Sequence, residues 1–276
     1  MLRTQRTNRI GVLADRVDQT GPAMILSGAS ELARERGYVL DVVVTDGTSA
    51  ESVAASMAML TEHQVGGILA TAQTDVVLEE LQKLSSTIPL VIGAQPSGDI
   101  THPTTNVIAG SCAAQHLYDI GHRRVGYVSG PDLWLAARGR RSGFVDRFTE
   151  LGGDVVWVWE GDWSPESGYQ AWIGLGEASK AVTAIGAAND SMALGLIAAA
   201  ADAGVAVPAE LSVIGNDDLP EARFVRPALT TVAMDFGTEG RELLAALIAE
   251  IEGQPSGDPL QATRPHLVVR QSTRAL

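Results

Sequence analysis

The sequence predicts an α/β protein made of two doubly wound parallel-sheet lobes that are joined by three crossovers. Apolar runs of strand length alternate with helical stretches along most of the 276 residues, which is the pattern of βαβ units in a parallel sheet. The alternation runs twice, and the stretch 96–103 between the two runs is rich in turn-forming residues. A helix and a strand follow the second run, so we expect crossovers near Thr105, Met234 and Arg264.

The first predicted lobe spans residues 9–105 plus 235–264. Its first helix stops before Gly37, and glycine suits the left-handed residue that follows a helix C-terminus. The amphipathic helix at 237–251 is expected to return to this lobe. The remaining predicted elements, in chain order, are strand Ile10–Ala14, helix Pro22–Arg36, strand Val39–Val44, helix Ala50–Glu62, strand Gly67–Ala70, helix Asp75–Leu84 and strand Leu90–Ile92.

The second predicted lobe spans residues 106–234 plus 265–276 and repeats the pattern. Glycines 121, 152 and 204 stand where three of its helices stop. In chain order the predicted elements are helix Ala109–Ile120, strand Val125–Ser129, helix Ala136–Leu151, strand Val155–Trp159, helix Pro165–Ala178, strand Val182–Ala187, helix Ser191–Ala203, strand Ser212–Gly215, strand Leu229–Ala233 and strand His266–Arg270.

Charge and cysteine content exclude several classes of protein. The net charge of −13 argues against a chain that grips nucleic acid by itself, because phosphate contacts need clustered lysine and arginine. The single cysteine, Cys112, excludes an internal disulfide and favours the reducing cytoplasm. No uncharged apolar run reaches the ~18 residues of a membrane span, and no signal peptide is evident. Arg3, Arg6 and Arg9 make the start basic, as a solvated tail or as the remnant of a basic segment.

The sequence contains none of the common catalytic motifs. There is no Gly-x-Ser-x-Gly elbow, no Walker loop and no His-Glu-x-x-His, and the 5 histidines show no metal-ligand spacing. The pair Asp217-Asp218 has no histidine or glutamate partner at a suitable spacing, so a hydrogen-bonding role is favoured over a metal or acid–base role. We therefore expect neither an enzyme nor a protein with a metal or another cofactor.

Polar and aromatic residues follow several of the predicted strands. Trp163, Asn189 and Asp217 each come at or just after the end of a strand in the second lobe, and Arg138 follows another. The carboxyl ends of parallel strands line one crevice, so we expect these residues to converge. An aromatic face with a guanidinium, an amide and a carboxylate suits the ring and the vicinal hydroxyls of a sugar. The alternative is that Asn189 or Asp190 simply caps the next helix.

Motifs along nearly the whole chain resemble the effector-binding core of the lac repressor/galactose repressor (LacI/GalR) family of transcriptional regulators. No single motif carries the resemblance, but together they are specific. They include Gly121-His122-Arg123-Arg124-Val125, Ser129-Gly130-Pro131, Arg138-x-x-x-x-Gly143-Phe144, Glu160-Gly161-Asp162-Trp163-Ser164, Ala188-Asn189-Asp190-x-Met192-Ala193-Leu194-Gly195, Ser212-Val213-Ile214-Gly215-x-Asp217-Asp218 and Pro227-x-Leu229-Thr230-Thr231-Val232.

The resemblance implies a periplasmic-binding-protein type I fold that holds a small effector, a sugar, in the cleft between its lobes. It also implies a cytoplasmic homodimer that binds operator DNA only through a helix-turn-helix absent from this chain, with residues 1–8 as the remnant of the hinge. We expect the apolar residues of two helices to pair between subunits. These residues are Met24, Ile25, Leu26, Met192, Leu194, Leu196 and Ile197. A sugar-binding component of an importer is the alternative, because the same fold serves both functions.

The resemblance also implies a set of effector contacts. The predicted set is Arg138, Asn189, Asp217, Trp163, Trp134, Gln19, Pro22, Asp15 and Met234. Three positions depart from the family pattern, and each change reshapes the pocket. Ala94 and Met234 stand where polar residues are frequent, and Trp134 stands where a small polar residue is common.

Overall fold

The computed structural model describes residues 7–71, 74–84, 88–93, 103–176, 181–254 and 264–276. It divides the chain into two compact units, Met1–Gln95 with Asp235–Thr263, and Pro96–Met234 with Arg264–Leu276. The chain therefore passes between the units three times. The first boundary precedes the one expected at residue 105, because helix α4 (Thr105–Asp119) packs along helix α5 (Leu135–Glu150) of the second unit.

The first unit is built on a four-stranded parallel sheet with the order β2-β1-β3-β4. Strand β1 (Arg9–Ala14) is buried from its second residue to its last. Its apolar run is therefore buried on both faces, as expected of a parallel sheet covered by helices on both sides. The strands are β1 Arg9–Ala14, β2 Val39–Val44, β3 Ile68–Ala70 and β4 Leu90–Ile92, and the helices are α1 Thr20–Arg36, α2 Ala50–Glu62, α3 Asp75–Leu84 and α8 Phe236–Glu252.

Helix α8 returns to the first unit and crosses α1 at very short range. A Cβ atom on Gly28 of α1 would lie 2.0 Å from the carbonyl oxygen of Gly237. A Cβ atom on Gly240 of α8 would lie 2.0 Å from the carbonyl oxygen of Ile25. The two backbones touch here, and only glycine permits that approach. This packing places α8 in the first unit.

The second unit is built on a six-stranded sheet with the order β10-β9-β8-β7-β5-β6. Its pairs are parallel except that the edge strand β10 runs antiparallel to β9. The strands are β5 Arg124–Ser129, β6 Asp154–Glu160, β7 Ala184–Ala187, β8 Ser212–Asp217, β9 Thr230–Ala233 and β10 His266–Val268, and the remaining helices are α6 Pro165–Leu175 and α7 Asp190–Asp202. The two parallel-sheet units confirm the predicted α/β fold class.

Side-chain caps begin several of the helices that follow strands. Ser49 accepts a hydrogen bond from the Ser52 amide at the start of α2, and Thr104 accepts one from the Val107 amide at the start of α4. Ser164, Asn189 and Asp235 serve α6, α7 and α8 in the same way. Each cap satisfies an amide that has no partner inside the helix. No helix among the described residues is long and apolar enough to cross a membrane.

The surface that was predicted from apolar helix residues is smaller than expected. Met192, Leu196 and Ile197 of α7 are buried in their own unit, and so is Ile25 of α1. The residue of the predicted set that the structure exposes is Met24, at 41%. Leu26 and Leu194 are half-buried, so the pairing of these helices between subunits stays a prediction that rests on fewer residues.

Candidate functional site

The candidate site lies in the second unit, at the carboxyl ends of its parallel strands. Trp163 follows β6, Asn189 follows β7, and Asp217 is the last residue of β8. Because these strands run parallel in one sheet, their ends open on the same edge. The structure therefore brings the three residues to a single edge of the second sheet.

A buried arginine, Arg140 of α5, joins the elements of this edge. Its Nη1 donates to Asp217 Oδ1 at 2.8 Å and to the carbonyl oxygen of Ala188 at 2.6 Å. Its Nε donates to Asn106 Oδ1 at 3.0 Å. The side chains of Arg140 and Asp217 are only 6% and 7% exposed, so neither charge would be tolerated without the other.

The charge of Asp217 depends on this pair. Burial raises the pKa of Asp217, while the charge and the hydrogen bond of Arg140 act in the opposite direction. Asn216 lies beside the pair, and with its amide oxygen turned toward Arg140 it accepts from Nη1 at 3.0 Å and from Nε at 3.3 Å. The guanidinium is thus held by several acceptors and cannot swing away from the site.

Arg138, which the sequence analysis expected here, points elsewhere. Its Nη1 donates to the carbonyl oxygen of Asp132 at 2.9 Å, in the loop before α5. Residues two apart on a helix do not share a face, so Arg138 and Arg140 cannot both face the sheet. The helical spacing of the apolar residues identifies the arginine that faces the sheet. Ala137, Arg140 and Phe144 form one buried stripe at spacings of three and four, and Arg138 lies outside it.

Asn189 combines a helix cap with a contact across the site. Its Oδ1 accepts from the Met192 amide at 2.8 Å, which caps α7. Its Nδ2 donates to the carbonyl oxygen of Trp163 at 2.9 Å. Asn189 therefore caps α7, as the alternative from the sequence predicted. It also makes a second hydrogen bond that joins the loop after β6 to α7.

Two tryptophans form the aromatic part of the site. Trp163 is only 6% exposed and lies against Gly130, where an added Cβ atom would come within 2.4 Å of the indole. Trp134 meets it edge to face, with ring centroids 6.1 Å apart and an angle of 73° between the planes. The guanidinium of Arg140 lies 5.7 Å from the Trp163 ring centroid. Most of the ring that was expected to stack on a ligand is thus covered by the protein.

Known proteins match the chain along its length. The family described as periplasmic binding protein-like domain matches residues 114–273. The HTH-type transcriptional repressor PurR of Haemophilus influenzae is 31% identical over 286 residues, which cover 100% of this chain and 84% of the relative. A dimeric lac repressor with a C-terminal deletion superposes with a TM-score of 0.88, at 25% identity, over 97% of this chain and 100% of that chain.

The chain belongs to the LacI family of transcriptional regulators. It carries the effector-binding core of such a regulator. Another solved structure, a complex of the transcriptional regulator CelR with cellobiose, matches with a TM-score of 0.83 at 26% identity and covers 97% of this chain and 85% of that chain. These relatives favour the regulator over the importer component that the sequence analysis kept as its alternative.

The other effector contacts that the LacI-family resemblance implies lie mainly in the first unit. Asp15 is buried at the end of β1, and burial raises its pKa while the charge of Arg16 opposes the rise. Gln19 is half-buried just before α1, and Pro22 lies in the first turn of that helix. Met234 is buried after β9 in the second unit. Their contact with an effector stays a prediction, and Ala94 lies outside the described residues.

Proposed function

We propose that this LacI-family core binds a small polyhydroxylated effector, a sugar, at the carboxyl edge of its second sheet. The observation that carries the proposal is the buried pair of Arg140 and Asp217, which lies beside the aromatic pair of Trp163 and Trp134. A fixed cation and a fixed carboxylate side by side present a donor and an acceptor to neighbouring hydroxyl groups. Trp134, which is half-buried and lies edge to face on the covered Trp163, supplies the apolar surface against which a sugar ring packs.

The hydrogen bonds that the protein already makes support an assignment of the atoms that contact the ligand. Arg140 uses Nε and Nη1 for the protein, so Nη2 is the atom we assign to a ligand hydroxyl. Asp217 uses Oδ1 for Arg140, so Oδ2 is the acceptor we assign to the adjacent hydroxyl. A vicinal diol fits this donor–acceptor pair, whereas a phosphate would meet the Asp217 carboxylate and be repelled.

The experiment is a thermal-shift screen against mono- and disaccharides that includes cellobiose, followed by calorimetry on each sugar that shifts the melting temperature. A ligand that binds only the folded state raises the melting temperature with its concentration. Sugar phosphates serve as matched controls, and we expect them to bind more weakly than the parent sugars. A panel in which no sugar shifts the melting temperature, while a phosphorylated or basic compound does, would overturn the assignment of the effector class.

We also propose that the chain forms a homodimer and acts in the cytoplasm, with operator DNA bound through a segment outside this sequence. Support comes from the dimeric lac repressor structure and from the exposed apolar side chains of Met24 and Phe224, at 41% and 70%. Light scattering at micromolar concentration should give about twice the chain mass of 28.9 kDa. A monomer over that range would exclude dimerisation by this chain alone.

A further inference from the structure

Three residues of the candidate site hold a left-handed backbone conformation that residues other than glycine rarely adopt. They are Trp163 with φ of 75°, Asp217 with φ of 116° and Asp218 with φ of 57°. Such conformations are unfavourable in isolation and persist only where surrounding contacts hold them. The loop after β6 and the turn after β8 must therefore each be fastened by other parts of the unit.

Asn189 fastens the first of these loops. Its Nδ2 donates to the carbonyl oxygen of Trp163, the strained residue itself, at 2.9 Å. Its own position is fixed, because Oδ1 caps α7 and Arg140 holds the carbonyl oxygen of the preceding Ala188. The Asn189 side-chain amide therefore connects Trp163, whose backbone would otherwise relax, to the rigid start of α7.

Asp190 fastens the second strained segment, the turn after β8. This side chain is fully buried, and its Oδ2 accepts from the Leu219 amide at 2.8 Å, just after the two strained residues. Its Oδ1 accepts from Thr231 Oγ1 of β9 at 2.5 Å. The carboxyl lies flat on the backbone of β8, since a Cβ atom on Gly215 would come within 2.2 Å of Oδ1. One side chain thus spans the strand, the turn that follows it and the neighbouring strand.

We propose that Asn189 and Asp190 form a positioning dipeptide, in which each side chain holds one strained wall of the effector site independently of the other. Asn189 sets the backbone that carries the Trp163 ring, and Asp190 sets the turn that aims the Asp217 carboxylate. Both are positioning residues that act through their neighbours. The significance for effector binding rests on the proposed function, but the fastening of the two loops does not.

The charges around Asp190 explain how a carboxyl group serves in this place. It faces the carboxylates of Asp217 and Asp218, which are paired with Arg140 and Arg270. Burial first, and then the neighbouring Asp217, raise the pKa of Asp190 to about 8. A protonated Asp190 still accepts from the Leu219 amide through Oδ2, and its proton on Oδ1 is donated to Thr231 Oγ1, so no negative charge is added beside Asp217. Asparagine has the same shape and the same neutral charge, so Asp190→Asn is the conservative replacement.

The test is hydrogen–deuterium exchange, read by mass spectrometry, on the ligand-free chain and three variants. Asn189→Ser keeps an oxygen that can cap α7 but loses the donor that reaches Trp163. Asp190→Ala removes both bonds, whereas in Asp190→Asn the amide oxygen accepts from the Leu219 amide and Nδ2 donates to Thr231 Oγ1. The matched control is Ser49→Ala, which removes a cap of comparable strength from α2 in the first unit.

We expect Asn189→Ser to speed exchange in peptides covering 160–164, and Asp190→Ala to speed it in peptides covering 217–220. Each increase should be on the order of tenfold or more, because a buried hydrogen bond that holds a local structure is lost. Asp190→Asn should exchange like the wild type, and Ser49→Ala should leave both segments unchanged.

Equal acceleration of both segments by either variant would overturn the proposal, since it would show that α7 simply frays from its N-terminus. Unchanged exchange in both segments would overturn it as well. Because no ligand is present, these outcomes are separate from the sugar screen. The screen alone decides the effector class.

Discussion

The strand ends of the two units carry polar residues that are held in different ways. In the second unit the decisive bonds join distant parts of the chain, since Arg140 and Asp217 are 77 residues apart and Asn189 and Trp163 are 26 residues apart. In the first unit Asp18 pairs with Arg16 and Asp46 with Thr48, each only 2 residues away. Bonds across the fold also occur in the first unit, where Thr74 Oγ1 donates to the carbonyl oxygen of Gly47, 27 residues away. The difference is that the second unit adds a buried charged pair, whereas this bond joins neutral groups.

This difference predicts which substitutions have the larger effects. A bond across the fold positions several elements at once, so its loss affects both the stability of the unit and the geometry of the site. A bond within one loop positions only that loop, and such segments adapt more easily. Loss of one partner of the buried charged pair should accordingly cost more than loss of a neutral hydrogen bond in the first unit.

The largest effect is expected for Arg140→Met. It leaves the buried carboxylate of Asp217 without its cation, and breaking a buried pair in this way costs about 3–5 kcal/mol of the free energy of unfolding. The matched variant Arg138→Met removes a half-buried arginine from the same helix and should cost less than about 1 kcal/mol. Urea unfolding of both proteins measures the difference. Equal losses would mean that the two arginines have the same role.

The second-largest effect is expected for Asp217→Asn, as a loss of affinity for the effector. Removing a charged hydrogen-bond acceptor costs on the order of 1.5–3 kcal/mol of binding free energy. The comparison variant is Asp15→Asn in the first unit, where we expect a smaller loss. Calorimetry with a sugar identified in the screen measures both affinities. A greater loss for Asp15→Asn would place the principal anchor in the first unit instead.

The pH dependence of stability should change in Asp190→Asn. The pKa of Asp190 is about 8 in the folded protein, above its ordinary value, so the folded state binds the proton more tightly than the unfolded state. The stabilisation is fully present below about pH 4 and is lost as the pH rises toward about 8. Asparagine does not titrate, so the variant should gain stability over the wild type as the pH rises through this range. Parallel pH profiles from chemical unfolding would contradict the assignment of a neutral Asp190.

The smallest effect is expected for Trp134→Ala. An edge-to-face aromatic contact contributes about 0.5–1.5 kcal/mol beyond the burial of area, so the variant should lose at least that much stability and expose Trp163. Leu133→Ala is the matched control, because Leu133 is exposed at 56% in the same loop. A red shift of the tryptophan emission relative to this control measures the exposure. Identical emission spectra would show that Trp134 does not cover Trp163.

Prediction from the sequence succeeded where the pattern is local. Alternating strands and helices identified both sheets, and the residues after the strands identified Trp163, Asn189 and Asp217 as occupants of one edge. It failed where two residues of the same type compete for one place. Arg138 and Arg140 are both arginines at the start of one helix, and only the buried stripe of α5 distinguishes them.

Periodicity, glycine placement and strand-end chemistry thus determined the fold class and the edge that carries the site, because each depends on residues close in the chain. Tertiary structure alone decided which arginine meets Asp217, how Asp190 spans two strands and how far Trp163 is covered by Trp134. These contacts depend on the rotation of helices against the sheet and on backbone conformations that only packing can hold.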